Sequence, residues 1–145
     1  MAPPPPAPEF HAQRTVDESH IDVNGHVNNV VFVQWMQDLA VHHWRALGGE
    51  ALQEDAHGTW FARSHHIEYL KPALLGDQLT MRTWVAEARR VRSIRRYEFW
   101  RGDTLLARGE TDWVFVDVTT GRPKSIPDGF IDLLRPEGDG SAPAC

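Results

Sequence analysis

Residues 29–47 constrain this chain more than any other stretch. Gln34, Asp38, His42 and Arg45 fall on one stripe at spacings of three and four. Val31, Phe32, Trp35, Met36, Leu39, Val41, Trp44 and Leu47 cover the rest of the circumference. The spacing predicts a helix, and so wide an apolar surface predicts one largely enclosed by other structure. Gly48 and Gly49 follow, as expected where a helix ends in left-handed backbone. What encloses the helix must come from the remainder. Residues 59–70, 78–88, 93–101 and 105–117 are rich in β-branched and aromatic side chains, and Leu79, Met81, Thr83 and Val85 alternate with Thr80, Arg82 and Trp84. Breaks at Lys71-Pro72, Gly76-Asp77, Arg89 to Arg92, Gly102-Asp103 and Thr120-Gly121 leave only short connections, which implies antiparallel neighbours. A first strand over residues 10–16 and a short terminal helix starting at Pro127 complete the pattern. The expected class is α+β, an antiparallel sheet wrapped around one long central helix. Such a sheet leaves its other face and an edge strand uncovered, so a homo-oligomer is expected.

The 145 residues, with 41% apolar and 24% charged side chains, suit a single folded domain over residues 10–135. A proline-rich arm, residues 1–9, and a Gly/Pro/Ser tail, residues 136–145, flank it. A formal charge of -5 argues against nucleic acid as a partner. Cys145 is the single cysteine, which excludes an internal disulfide and fits a reducing, cytoplasmic setting. No apolar run approaches the roughly 18 residues of a membrane span, and MAPPPPAPEF lacks the pattern of a secretory signal.

The chemistry concentrates in HIDVNGHVNN, just before the helix. Asn28 or Asn29 is placed to cap the helix, whose first amides then face the preceding loop and favour negative charge. Such an end can stabilise an oxyanion forming on a carbonyl. Gly25 permits a sharp turn and close approach of a ligand to the backbone. Asp22 stands a few residues upstream, within reach of the same space. A carboxylate and a helix end suffice in principle to cleave an activated acyl group such as a thioester, because a leaving thiol of pKa about 8.5 needs little acid assistance. Asp and Asn before a helix also serve as plain caps, and the residues by themselves leave both readings open. No metal is expected: DVNGHV has glycine at the wrong position for a calcium loop, and no cysteine supports a zinc site with His20 and His26.

HIDVNGHVNNVVFVQWMQDLA resembles the signature of the hotdog-fold acyl-CoA thioesterases, the 4-hydroxybenzoyl-CoA thioesterase-like group, in which D-x-x-G-H-V-N-N precedes the central helix. The likeness continues through IEYLKPALLGDQLTM, an arginine-rich turn and LLARGETDWVFVDVTTGRPKSIP. The resemblance implies a hotdog fold, dimeric or tetrameric, acting on acyl-CoA without a cofactor. It implies Asp22 as nucleophile or general base and the Asn29 amide as oxyanion donor, with His26 and Asn24 holding the loop and orienting Asp22 or water. Asp22, Asn24 and His26 also look like the D-x-N-x-H string of plant acyl-ACP thioesterases, but Pro72 falls where those enzymes carry a further acidic residue. Many relatives carry a second Asp where His20 stands. A carrier-protein thioesterase, a hotdog hydratase or dehydratase using His26 as base, and a non-catalytic acyl-CoA-binding module remain as alternatives.

Arg89, Arg90, Arg92, Arg95 and Arg96 cluster in and after one hairpin turn. Their guanidinium forks suit the phosphates of coenzyme A, and Arg89, Arg90 and Arg92 are the candidate contacts beside Gly25 and Asn28. The same charges on an exposed hairpin would also discourage edge pairing. His65, His66 and Glu68 lie on one expected strand, with His65 and His66 facing opposite ways. The six tryptophans are expected in core or interface positions.

Overall fold

A computed structural model describes residues 8–135. Residues 1–7 of the arm and 136–145 of the tail, Cys145 included, lie outside the described residues. The chain runs β1 (Phe10–Thr15), a single 3-10 turn (Glu18–His20), α1 (Asn29–Ala46), α2 (Gly49–Asp55), β2 (Gly58–Tyr69), β3 (Gln78–Arg89), β4 (Arg92–Arg101), β5 (Thr104–Asp117) and α3 (Asp128–Leu134). The strands form one antiparallel sheet in the order β1-β3-β4-β5-β2. No helix among the described residues is long and apolar enough to cross a membrane.

The alternation on β3 extends across the sheet. Met81, Phe99 and Ala107 share one row, and Thr83, Tyr97 and Gly109 the next, all buried toward α1. The helix answers with Phe32, Trp35, Met36, Leu39 and Ala40. At Gly109 a Cβ would come within 2.7 Å of the Met36 sulfur, so a side chain there would displace the tip of Met36 from its place in the core. Register shifts at Ala62/Ser64, Val85/Glu87 and Phe99/Trp100 bend the strands so that the sheet curves around α1. The enclosure is one-sided within a single chain: Val30 is exposed, and Val31, Val33 and Val41 are only half-buried.

The outer sheet face carries charge instead. Arg82, Glu98, Arg108 and Glu68 form a row of alternating sign across four strands, with Arg82–Glu98 and Arg108–Glu68 pairs at 2.8 Å. Glu9, in the arm, pairs with Arg82.

The sequence reading misses α2. Gly48 does turn in left-handed backbone, at φ 81°, but it leads straight into a second short helix. Gly49 is buried against the Trp44 indole, where a Cβ would approach within 2.1 Å, and Trp44 Nε1 donates to Gln53 on α2 at 2.8 Å. A second apolar cluster gathers Trp44, Val85, Phe115, Phe130 and Leu134 at this end, closed by α3.

Candidate active site

The polar stretch before α1 is a tight, doubled-back loop. Ile21 and Val27 form an antiparallel bridge, flanked by Asp22 N–H donating to His26 O at 3.1 Å and Asn28 N–H donating to His20 O at 2.9 Å. Gly25 closes the tip at φ 83°, its N–H donating to Asp22 O at 3.0 Å, a conformation that strains any residue with a Cβ. Upstream, the His20 ring accepts from Asp17 N–H at 3.0 Å and meets Trp35 edge-on, while Val27 N–H donates to Ala73 O at 2.9 Å. The loop is thus anchored to the helix on one side and to the segment after β2 on the other.

Asp22 is half-buried. Its Oδ1 accepts from Asn24 N–H at 2.8 Å, a local turn that fixes the carboxylate, and its Oδ2 meets no donor among the described residues. Asn28 is the helix cap, with Oδ1 accepting from Val30 N–H at 2.9 Å and its carbonyl from Val31 N–H at 2.9 Å. The remaining first-turn amide, Asn29 N–H, meets no acceptor among the described residues. Tyr69, at the end of β2, donates its hydroxyl to Asn29 O at 2.9 Å and steadies the helix start from across the chain. Sequence reasoning passed over Tyr69 because the two residues are 40 positions apart.

The other candidates are distributed. Asn24 is exposed and His26 half-buried; both join the loop through backbone, and neither side chain bonds Asp22 among the described residues. Arg89, Arg90 and Arg92 sit at the β3–β4 turn, with Arg90 at φ 57° and Arg92 Nε donating to Asp112 at 3.0 Å. That turn is the far end of β3 from Gln78, about 35 Å of strand away, so one chain does not bring it to Asp22. Arg95 departs from the exposed cluster in which the sequence placed it. It is 5% exposed and faces α1, because it shares strand parity with Tyr97 and Phe99. His65 also faces inward, its Nδ1 2.8 Å from Thr111 Oγ1, while His66 lies on the outer face beside Glu110. Among the described residues no cluster of His, Cys, Asp or Glu could hold a metal ion.

Residues 16–134 match the thioesterase-like superfamily. A curated relative, the L-carnitine dehydrogenase/betainyl-CoA thioesterase of Ruegeria pomeroyi, is 25% identical over 93% of this chain, which spans 30% of that protein's length. Among solved structures, a 1,4-dihydroxy-2-naphthoyl-CoA thioesterase from Synechocystis superposes with a TM-score of 0.78 at 19% identity, over 88% of this chain and 96% of that one. A Staphylococcus aureus protein solved in complex with CoA superposes with a TM-score of 0.80 at 20% identity, over 92% and 86% of the two chains. The five-stranded antiparallel sheet curved over one long helix is the hotdog arrangement, and by this match the chain belongs to the thioesterase-like superfamily.

Proposed function

We propose that this chain hydrolyses acyl-CoA thioesters to the free acid and CoA. The observation that carries the reading is the pairing, on one cross-bridged loop, of a fixed carboxylate with a free oxygen at Asp22 and an unengaged helix-end amide at Asn29. In the proposed reaction the thioester carbonyl oxygen faces Asn29 N–H, and the helix dipole stabilises the negative charge as it forms. In one route Asp22 attacks the carbonyl carbon, the C–S bond breaks to release the thiolate, and water then hydrolyses the resulting acyl-aspartyl anhydride. In the other, Asp22 takes the proton of a water that attacks directly, and the C–S bond breaks to release the thiolate and the free acid. Gly25 and Asn28 shape the approach through backbone, and His26 and Asn24 hold the loop. CoA is preferred over a carrier protein because the betainyl-CoA and 1,4-dihydroxy-2-naphthoyl-CoA relatives are named for CoA esters and one fold neighbour was solved with CoA bound. The test is thiol release from short, cationic, aromatic and long acyl-CoAs, with wild type and Asp22→Asn. Turnover that falls about 100-fold in the variant supports the assignment, and equal rates would sink Asp22 as the catalyst.

The protein acts in this reading as a homodimer or larger homo-oligomer. β2 is an edge strand with Phe61 63% exposed, an unpaired apolar edge of the kind soluble chains cover. Antiparallel pairing of two β2 strands about a two-fold axis would set the arginine turn of one sheet beside the Asp22 end of the other. Arg89, Arg90 and Arg92 would then meet the CoA phosphates across the interface. Sedimentation should show a dimer or larger species that Phe61→Asp converts toward monomer; a monomeric wild type refutes the pairing.

A further inference from the structure

A cavity of about 230 Å³ lies between the second half of α1 and the sheet, near the end opposite Asp22. Neither Asp22 nor Asn29 lines it, and the packed layer of Met36, Leu39, Tyr97 and Phe99 belongs to the core between the two ends of α1. Its apolar walls include Val41, Val85 and Leu134, and Trp44 and Trp60 meet at 88° with centroids 5.9 Å apart to make an aromatic corner. The exposed Gln37 and Glu50 form part of its rim.

Into this apolar space the sheet sets a guanidinium. Arg95 also lines the cavity, and its Nη1 donates to His43 Nδ1 at 2.8 Å and to Thr83 Oγ1 at 3.2 Å. Both partners are neutral acceptors, and among the described residues no carboxylate pairs with Arg95. The carboxylate on the cavity wall, Glu50, is held instead by Arg45 Nε at 3.0 Å. Arginine stays protonated at neutral pH even when burial lowers its pKa, as it does here. A buried cation that faces a mostly apolar cavity and bonds only neutral partners favours an anion there over any other ligand. We infer that this cavity binds a small organic carboxylate, with the anionic head on the Arg95 guanidinium and a flat or apolar body in the Trp44–Trp60 corner. The size fits, since a cavity of about 150 Å³ already holds a benzene ring. A cationic ligand, which tryptophan faces would otherwise suit, is opposed by the Arg95 charge.

The inference stands without the hydrolytic reading, because binding is measured with no thioester present. Calorimetric titration of the full chain with sodium benzoate and with benzamide, at fixed ionic strength, separates charge from shape. Benzoate should bind saturably and about tenfold or more tighter than benzamide, the scale of one charge-assisted contact. Arg95→Met should erase the preference. Val41→Phe, which fills the cavity and leaves Arg95 in place, should abolish binding of both. No saturable benzoate binding, equal affinities for the two probes, or benzoate affinity unchanged in Val41→Phe would each overturn the site.

Discussion

The two ends of α1 handle charge in opposite ways. At the N-terminal end the polar groups belong mainly to the backbone of a half-exposed loop, and free donors and acceptors stay in contact with solvent. Toward the C-terminal end the Arg95 cation is buried beside a cavity lined by tryptophans, and the groups it bonds are neutral. The first end is suited to chemistry on a group that passes through. The second is suited to holding something, because desolvation strengthens any charge that enters it.

If the ends are separate in function, they should fail separately. The largest effect is expected for Asp22→Asn, which should lower turnover about 100-fold while leaving the melting temperature near that of wild type. A matching loss of stability would make the carboxylate a cap rather than a catalyst. Gly49→Ala should do the reverse. Its new methyl meets the Trp44 indole, and displacing that ring should cost about 1–3 kcal/mol of stability, read by denaturant titration, with kcat little changed. Unaltered stability would mean that the α1–α2 corner yields more easily than its packing indicates.

The smallest effect is a pH dependence from His43. Burial first, and then the neighbouring Arg95 charge, push its pKa down from 6.5 to about 4. Folded His43 is therefore neutral where the unfolded chain begins to bind a proton. Its contribution to stability is present above pH 6.5 and is lost as the pH falls toward 4. The slope from this one proton is at most about 1.4 kcal/mol per pH unit. Melting temperatures across that window should fall in wild type and less steeply in His43→Gln; equal slopes would remove His43 as the cause.

The N-terminal loop is legible in the sequence because its partners are near neighbours: Asp22 bonds within four residues, and Asn28 caps the helix it precedes. The four long strands are legible too, since alternation is a local property, and each begins and ends within about a residue of where the pattern puts it. Gly48-Gly49 reads as a stop, and α2 is hidden behind it because what fixes that helix is the contact of Trp44 with Gly49 and Gln53. Arg95 reads as one more arginine beside a turn. Strand parity with Tyr97 and Phe99 already puts it on the inner face, but its match to His43 needs the crossing of helix and sheet, 52 positions apart. Charge runs near a hairpin are therefore better sorted by parity than by proximity.

The Tyr69 hydroxyl grips the first carbonyl of α1 from the end of an edge strand. β2 is thus both the open edge of the sheet and the strand that fixes the start of α1, through the Tyr69 hydroxyl and the edge-on contact of its ring with Phe32. A substitution that shortens or removes the Tyr69 ring therefore touches the edge of the sheet and the mouth of the helix at once.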